Sequence, residues 1–502
     1  MNSLLPLGIG SWAFISIYLL SLLLIGWLAK KARTENTLKD FYLAGNGLGV
    51  SVLFLTLFAT QYSGNTFLGF TGATYRIGFP WILSIHFMTS IVVCYLLFAE
   101  KLHLLAKKNK YITPTDYIID RYKNGALAIL VSVIMIVCLS NYLLAQLMAM
   151  GRVIQGIANT TSLETYIIGV ILLAFIIVAY GTLGGLRAVA WTDAIQGSIL
   201  LVGFIFLITL LFHKFGSFSE ATEIIRARDF QQNSTKSLLP SAEICRQWIS
   251  YILVVGFGLS LYPQAIQRIY AAKSVKVLKK SIAVMAFMPI PTMIIIFITG
   301  IMALAYLPGI EGVATDQIFG RVLKEIQSYS IFGYILTTII ISAVLAAMMS
   351  TADSALLSIS SMITKDLYMR KFFPDTKEEK LTMIGKYCSW IFLIFLVIMA
   401  IILQKNVSLV ALMDRKLDLL IQLSPAFILG IRWKKLLSWP VFLGIIIGVF
   451  ISLVLAFGDW DFVNKGKIWG FHPGILGIIP NLIVAVFGTY ILQKYSQKNK
   501  NS

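Results

Sequence analysis

The sequence places small and polar residues that can bind an ion or a solute in the middle of an apolar stretch, Val50 to Tyr75. Residues 58–66 read FATQYSGNT. Such a run favours a helix that breaks within a membrane, because unpaired carbonyls are tolerated there only where they line a cavity or bind an ion. We predict that the freed carbonyls hold a cation and that Gln61, Ser63 and Thr66 face a solute. The alternative is a glycine-kinked helix whose small residues pack against a neighbour.

A second set of oxygen donors lies in a later apolar stretch, where residues 342–354 read SAVLAAMMSTADS. Ala347, Ser350 and Thr351 share one helical face by the i, i+3, i+4 rule. That face offers one carbonyl and two hydroxyls to a cation. The alternative is that the hydroxyls bond to their own helix or only permit close packing.

One carboxylate stands out in residues 184–196, which read GGLRAVAWTDAIQ. This segment places Asp193 a turn or two inside the membrane boundary. An unpaired carboxylate at that depth costs several kcal/mol, so such a residue usually has a function. The alternative is that Asp193 pairs with a loop arginine such as Arg187.

Three further polar residues are candidates for contact with a solute. His86 is a lone polar residue in its stretch, and we interpret it first as a satisfied interior histidine and second as a substrate contact. Tyr262 and Gln264 precede the pair Gln267-Arg268. They are expected to touch the solute or to gate its path.

Four charged residues fall inside one late apolar stretch: Asp414, Arg415, Lys416 and Asp418. Our preferred interpretation is that the membrane span begins later, near Leu417, and leaves these charges at the outer surface. The alternative is a polar outer gate, in which Asp414 and Asp418 share a helix face at spacing i, i+4.

The composition predicts which elements must position these residues. The chain has 502 residues, of which 58% are hydrophobic and 13% charged. A bilayer core takes about 20 apolar residues per helix, and continuous apolar runs exclude the alternating pattern of a membrane β-barrel. We therefore predict an all-α polytopic membrane protein with about thirteen transmembrane helices. The stretches begin near residues 9, 49, 80, 125, 165, 188, 246, 281, 331, 382, 408, 438 and 474.

The formal net charge of +19 is placed in alternate loops, which argues against nucleic acid as a partner. By the positive-inside rule these loops are cytoplasmic. We thus predict a multi-pass protein of the inner (plasma) membrane, surrounded by lipid, with its N-terminus outside and its C-terminus in the cytoplasm. The basic clusters fall in residues 30–39, 101–123, 268–280, 365–380, 432–435 and 494–500.

Four dispersed segments resemble the sodium/solute symporter family in the same order along the chain. They are ATQYSGNTFLG at 59–69, GGLRAVAWTDAIQ at 184–196, QRIYAAKS at 267–274 and AMMST at 347–351. Members of that family carry proline, pantothenate, sugars, sialic acid and other solutes. The resemblance implies sodium-coupled uptake of a small polar solute by alternating access, with Na⁺ as the coupling ion and no enzymatic activity.

The resemblance also implies an architecture. A leucine-transporter-like fold has two inverted repeats of five helices, here at about 49–213 and 246–435. Three extra helices would lie at about 9–29, 438–457 and 474–494. We therefore expect residues 1–502 to form a single transporter domain.

The family pattern further implies a set of sodium ligands. These are the carbonyls of Ala59, Tyr62 and Ala347 and the hydroxyls of Ser350 and Thr351. Asp193 matches a family aspartate near a sodium exit path, which contributes to a second sodium site in some members.

The substrate is expected to be pantothenate or another small organic acid, vitamin or amino acid. Sialic-acid members carry an arginine where this chain has the plain segment 137–139, and proline members carry an aspartate and serine pair that residues 61–63 do not match. Pantothenate members share the spacing of 146–152 and the segment 469–473.

Two other functions stay open for the same fold. One is symport coupled to protons instead of sodium. The other is a transporter-like membrane sensor, for which we expect an output domain that the sequence up to Ser502 does not contain. No obligatory protein partner is expected.

Overall fold

The computed structural model describes residues 8–501, except for positions 34, 36, 159, 328–330, 405–408, 459, 461 and 465. This part of the chain is almost entirely helical. Its first helices are α1 (Gly8–Lys31), α2 (Leu38–Leu43), α3 (Val50–Gln61), α4 (Phe70–Ile77), α5 (Ser84–Asn109), α6 (Pro114–Tyr122), α7 (Gly125–Ala158), α8 (Leu163–Phe215), α9 (Phe218–Gln232) and α10 (Ala242–Leu259). They are followed by α11 (Pro263–Ala271), α12 (Val275–Met285), α13 (Pro289–Tyr306), α14 (Ile318–Gln327), α15 (Ile331–Met362), α16 (Glu378–Leu403), α17 (Leu409–Leu420), α18 (Gly430–Arg432), α19 (Ser438–Phe457) and α20 (Pro473–Asn501).

Shorter elements connect or extend these helices. One antiparallel hairpin, β1 (Val463–Asn464) and β2 (Lys467–Ile468), lies between α19 and α20. Widened π-helical turns occur at Asn65–Gly69, Ile363–Met369 and Pro425–Leu429, and 3₁₀ turns at Ala44–Asn46, Phe79–Leu83, Gly312–Gln317 and Ile421–Leu423.

The prediction of an all-α polytopic membrane protein is confirmed. Within the described residues, nine helices are long and apolar enough to cross a membrane, or ten if the bent pair α10–α11 is one span. Each of the thirteen apolar stretches is helical, because a continuous apolar run in lipid must satisfy its backbone internally. The number of thirteen spans stays a prediction.

Two of the spans are broken. After α3 ends at Gln61, Tyr62 adopts extended geometry with φ −97° and ψ 95°, and the chain becomes helical again before α4. The axes of α10 and α11 differ by 52°. The second break follows from Pro263, which lacks an N–H and forces the residue before it away from helical geometry. Tyr262 accordingly has a ψ of 130°.

The two stretches predicted near residues 165 and 188 are joined in α8, which has 53 residues. A straight helix of that length would measure about 80 Å, far more than a bilayer core of about 30 Å. Gly185 interrupts it with φ 60° and ψ −151°. A Cβ on this residue would lie 2.4 Å from the carbonyl oxygen of Phe41, so the interruption requires glycine.

Packing places α15 at the centre of the molecule. Its apolar part is almost fully buried, and it contacts α3, α7 and α8. Helix α17 packs against α7, α10 and the π-helical turn that follows the break in α3. The breaks in both interrupted spans therefore lie close to α7, α15 and α17, whereas α19 and α20 pack mainly against each other.

Candidate functional site

The break after α3 releases two consecutive backbone carbonyls, those of residues 59 and 60. The Ser63 N–H donates to the Thr66 hydroxyl at 3.2 Å, and the Gly64 N–H donates to the side-chain oxygen of Gln146 at 2.9 Å. In an unbroken helix these N–H groups would donate to the carbonyls four residues earlier. The predicted broken helix is thus present.

The released carbonyls face side chains from two other helices. The Thr351 hydroxyl of α15 lies 3.3 Å from the carbonyl oxygen of Ala59 and 3.5 Å from that of Thr60. The Tyr142 hydroxyl of α7 donates to the Thr60 carbonyl at 3.1 Å. Helices α3, α7 and α15 therefore meet at a cluster of neutral oxygens.

The other expected sodium ligands lie around this cluster. The Ser350 hydroxyl is fully buried and has no hydrogen-bond partner among the described residues. The Asp193 carboxylate faces this hydroxyl, and its Oδ1 likewise makes no hydrogen bond of ordinary geometry with a described residue. Tyr62 lies at the break itself, and Ala347 lies one turn before Thr351 on α15. Buried oxygens without partners are the chemistry that a bound cation would satisfy.

The three residues expected to face the solute occupy the same break. Ser63 and Thr66 are buried and bonded to each other through the Ser63 N–H. Gln61 is partly buried, and its amide donates to the Tyr95 hydroxyl at 3.1 Å. The structure thus brings all three within a few residues of the released carbonyls.

The break between α10 and α11 presents a second polar group to the same region. The Tyr262 ring stacks on that of Tyr142, with centroids 4.9 Å apart. Gln264 is fully buried. In the described part of the chain, neither its amide atoms nor the Tyr262 hydroxyl has a hydrogen-bond partner.

His86 is not part of this cluster. It lies near the start of α5 with its side chain exposed, and its ring contacts the Trp248 ring at a centroid distance of 5.3 Å. The interior position that we first expected for His86 is therefore wrong, because the residue lies on the outward face of its helix.

Asp193 is fully buried and bonded to two other helices. Its Oδ2 pairs with the Arg268 guanidinium of α11 at 3.0 Å and accepts a hydrogen bond from the Thr56 hydroxyl of α3. The same guanidinium donates to the Ser354 hydroxyl of α15 at 2.6 Å. Arg268 thus joins α3, α8, α11 and α15 through charged and hydroxyl groups.

The expected alternative partner of Asp193 is wrong. Arg187 instead pairs with Asp40 at 2.7 Å. Arg268, which we had counted among the basic residues of a cytoplasmic loop, is fully buried. Asp193 and Arg268 are 75 positions apart, and only the packing of α8 and α11 against α15 brings them together.

Sequence reasoning missed one charged residue beside the site, Asp353. Asp353 of α15 is buried and accepts a hydrogen bond from the Tyr180 hydroxyl of α8. The signal was available, because an aspartate within an apolar stretch is rarely without a function.

The charges at 414–418 lie in a buried part of the protein, so the surface position that we preferred for them is wrong, while the start of the membrane span near Leu417 stays a prediction. All four belong to α17, and Asp414 and Asp418 are buried. Asp414 accepts from the Tyr251 hydroxyl at 2.9 Å and lies 3.6 Å from the Lys467 ammonium of β2. Asp418 accepts from a backbone N–H of α20 at 2.8 Å and lies 3.5 Å from Arg415. These ion pairs and hydrogen bonds offset part of the desolvation cost of the buried charges.

The Lys416 side chain contacts a different part of the protein. Its side chain is only 2% exposed. Its ammonium lies 3.5 Å from the centroid of the Tyr142 ring and 5.5 Å from that of Tyr262. Lys416 therefore belongs to the region between the two helix breaks, unlike the other charges of α17.

Curated relatives match this chain over almost its full length. The osmoregulated proline transporter OpuE of Bacillus subtilis is 27% identical, over 96% of this chain and 94% of the relative. The high-affinity proline transporter PutP of the same organism is also 27% identical, over 95% and 97%. A sodium/proline symporter of Staphylococcus aureus is 25% identical, over 97% and 93%.

Solved structures of transporters share the fold. A Na⁺-coupled sialic acid symporter aligns with a TM-score of 0.76 at 19% identity, over 97% of this chain and 98% of that chain. The nucleobase-cation-symport-1 family transporter MHP1 aligns with a TM-score of 0.57 at 12% identity, over 91% and 95%.

The match to a family model covers the two helix breaks and the helices that meet at them. That model, the sodium:solute symporter family, matches residues 41–448, from α2 to the middle of α19. The span includes both helix breaks, the α15 hydroxyls, Asp193 and the charged part of α17. The chain belongs to the sodium:solute symporter family.

Proposed function

We propose that the protein takes up a small polar solute together with sodium by alternating access, using the site between the break in α3 and helix α15. The family consists of transporters with sodium as the coupling ion, so the protein is a sodium-coupled membrane transporter and not an enzyme. One observation carries the assignment of the ion site. The Thr351 hydroxyl lies 3.3 Å from a carbonyl that the helix break has released.

The proposed sodium ligands are the three carbonyls of Ala59, Tyr62 and Ala347 and the two hydroxyls of Ser350 and Thr351. All of these groups are neutral, so a bound Na⁺ would bring one positive charge into the site. The unpartnered Ser350 hydroxyl supports this set, because a buried oxygen without a partner is costly unless an ion or water completes it.

Coupling follows from a shared element. A ligand shifts a conformational equilibrium only by its differential affinity for the two states. We propose that the break in α3 meets sodium through residues 59–62 and the solute through Gln61, Ser63 and Thr66. Either ligand would then favour the same arrangement of the broken span.

The driving force for a neutral solute is considerable. One Na⁺ crossing about 100 mV releases roughly 2.3 kcal/mol, and a tenfold sodium gradient adds about 1.4 kcal/mol. Together these terms support a solute concentration ratio of roughly 500.

The solute is proposed from the relatives as proline or a similar small solute. Three relatives that match over almost the full chain are proline transporters. This similarity runs against our exclusion of proline from residues 61–63, and the pantothenate hypothesis stays unconfirmed.

The wider architecture is proposed on the same basis. The two broken spans, α3–α4 and α10–α11, are the kind of paired interruption that inverted-repeat transporters carry at their binding sites. This supports two repeats of five helices within one domain of residues 1–502. The basic loops support an external N-terminus and a cytoplasmic C-terminus.

Transport by the purified protein in proteoliposomes tests the proposal. Uptake of labelled proline, pantothenate, amino acids and sugars is measured with an inward sodium gradient, and again with potassium or a proton gradient in its place. We expect sodium-dependent accumulation of at least one solute. Accumulation driven only by protons would contradict sodium coupling.

A further inference from the structure

Lys416 is the one charge in its segment of α17 that forms no direct ion pair with a described residue, although Asp414 lies close enough to act on it electrostatically. Asp414 pairs with Lys467 of β2, and Arg415 pairs with Asp418 of α17 itself. The Lys416 ammonium makes no ion pair and no hydrogen bond in this part of the protein, yet the side chain is 2% exposed. A buried ammonium in this condition is costly, so such groups usually serve a ligand.

The ammonium lies next to the proposed ion site. It faces the Tyr142 ring, and the Tyr142 hydroxyl donates to the Thr60 carbonyl at 3.1 Å. The Thr351 hydroxyl approaches the same carbonyl at 3.5 Å. One tyrosine therefore separates Lys416 from the oxygens proposed to bind sodium.

The surroundings of Lys416 are aromatic and neutral. The stacked rings of Tyr142 and Tyr262 offer cation–π contact, which replaces only part of the hydration that an ammonium loses on burial. The unpartnered hydroxyl of Tyr262 and amide of Gln264 lie at the adjacent helix break. These groups can accept or donate hydrogen bonds but supply no negative charge.

We propose that Lys416 binds a carboxylate of the transported solute, which makes small carboxylates the substrate class of this symporter. An ammonium offers three donors to a carboxylate, and such charge-assisted hydrogen bonds are about twice as strong as neutral ones. The bound carboxylate would supply the direct ion-pair partner that Lys416 lacks. It would also lie near a second positive charge, the sodium ion beyond Tyr142, so each ligand would favour binding of the other.

This inference rests on the proposed function, and matched pairs of probes test it separately. The purified protein is titrated in sodium buffer with L-proline and prolinamide, with pantothenate and pantothenol, and with nicotinate and nicotinamide. Thermal stabilisation reports binding, and competition with the solute found in the uptake panel reports occupancy of the transport site. We expect the carboxylate of at least one pair to bind and the partner that lacks this carboxylate not to bind.

Variants at two lysines of the same region complete the test. We expect Lys416→Met to weaken binding of the carboxylate by about 30-fold or more, because truncating one partner of a buried charge pair has an effect of this size. Sodium alone should still stabilise this variant. Lys467→Met is the matched control, since it removes an ammonium that already pairs with Asp414, and it should leave the preference for the carboxylate unchanged.

The outcomes separate the two proposals. Equal binding of both members of every pair by the wild-type protein, or unchanged carboxylate binding in a folded Lys416→Met variant, would overturn the role of Lys416 and leave sodium symport standing. If no solute in the panel shows sodium-dependent uptake, the proposed function is overturned. If Lys416→Met does not fold, Lys416→Arg takes its place: retained carboxylate preference supports the proposal, and loss of that preference in a folded protein contradicts it.

Discussion

At the scale of single residues, the two neighbouring hydroxyls of α15 have different surroundings. Thr351 already contacts the released carbonyls of α3, whereas Ser350 faces the Asp193 carboxylate and makes no hydrogen bond of ordinary geometry in the described part of the chain. Both hydroxyls could coordinate a cation bound between the helices. Their removal therefore tests the ion site directly.

We expect Ser350→Ala and Thr351→Ala each to raise the sodium concentration for half-maximal uptake by about tenfold, equivalent to about 1.4 kcal/mol. Each change removes one oxygen from a small, hard cation. The measurement is initial uptake across a range of sodium concentrations. Ser342→Ala is the control, because the Ser342 hydroxyl bonds to the Thr338 carbonyl of its own helix at 2.9 Å. An unchanged sodium requirement in both test variants would refute the site.

At the scale of elements, close contact between the break in α3 and its neighbours depends on Gly64. A Cβ on this residue would lie 2.7 Å from the Ala149 Cβ of α7 and 2.9 Å from the Met348 Cγ of α15. Both distances are too short for carbon atoms, so a side chain would push α3 away from the other two helices.

We therefore expect Gly64→Ala to reduce both thermal stability and apparent sodium affinity, with a destabilisation of about 1–3 kcal/mol typical of overpacking. Gly49→Ala is the matched control, because Gly49 precedes α3 with open space around its Cα. The measurements are Tm and sodium-dependent uptake of both variants. Wild-type behaviour of Gly64→Ala would show that the helices are not held at this distance.

The buried ion pair of Asp193 and Arg268 also links two helices, α8 and α11. Removing one partner of a buried ion pair leaves the other uncompensated, whereas removing both is often nearly neutral. We expect Asp193→Asn to lower Tm and to impair transport. The double variant Asp193→Asn with Arg268→Gln should recover Tm but not transport. Recovery of transport in the double variant would show that the pair serves stability alone.

At the scale of the whole molecule, charge balance links the solute to the number of ions. A zwitterion carried with one Na⁺ moves one net charge, but a monoanion carried with one Na⁺ moves none, and the membrane potential then contributes nothing. The unpartnered Oδ1 of Asp193, close to Ser350, supports a role for this carboxylate in holding a second ion.

If the solute is a monoanion, we expect electrogenic transport with about two sodium ions per cycle, and we expect Asp193→Asn to lower the sodium Hill coefficient toward one. Currents on a solid-supported membrane, together with the Hill coefficients of wild type and variant, provide the measurement. Electroneutral uptake of an anion with a wild-type coefficient of one would contradict a second ion.

The sequence by itself determined the class of protein and the position of its main interruption. Hydropathy is a local property, so continuous apolar runs specify membrane helices without reference to the rest of the chain. The break near Tyr62 was predictable for a similarly local reason. A run of polar and glycine residues within an apolar stretch indicates backbone that leaves the helix and lines a cavity inside the protein. Pro263 carried an equally local signal for the second break, although we did not use it.

Only the tertiary structure decided how the buried charges pair. Asp193 and Arg268 are 75 positions apart, and Asp414 finds Tyr251 across 163 positions. Spacing along one helix cannot reveal such partners, which is why a surface position for residues 414–418 was the wrong expectation. Spacing along the sequence likewise could not reveal that Lys416 has no direct ion-pair partner. A buried charge is recognised as unpaired only when every helix that packs around it is in place.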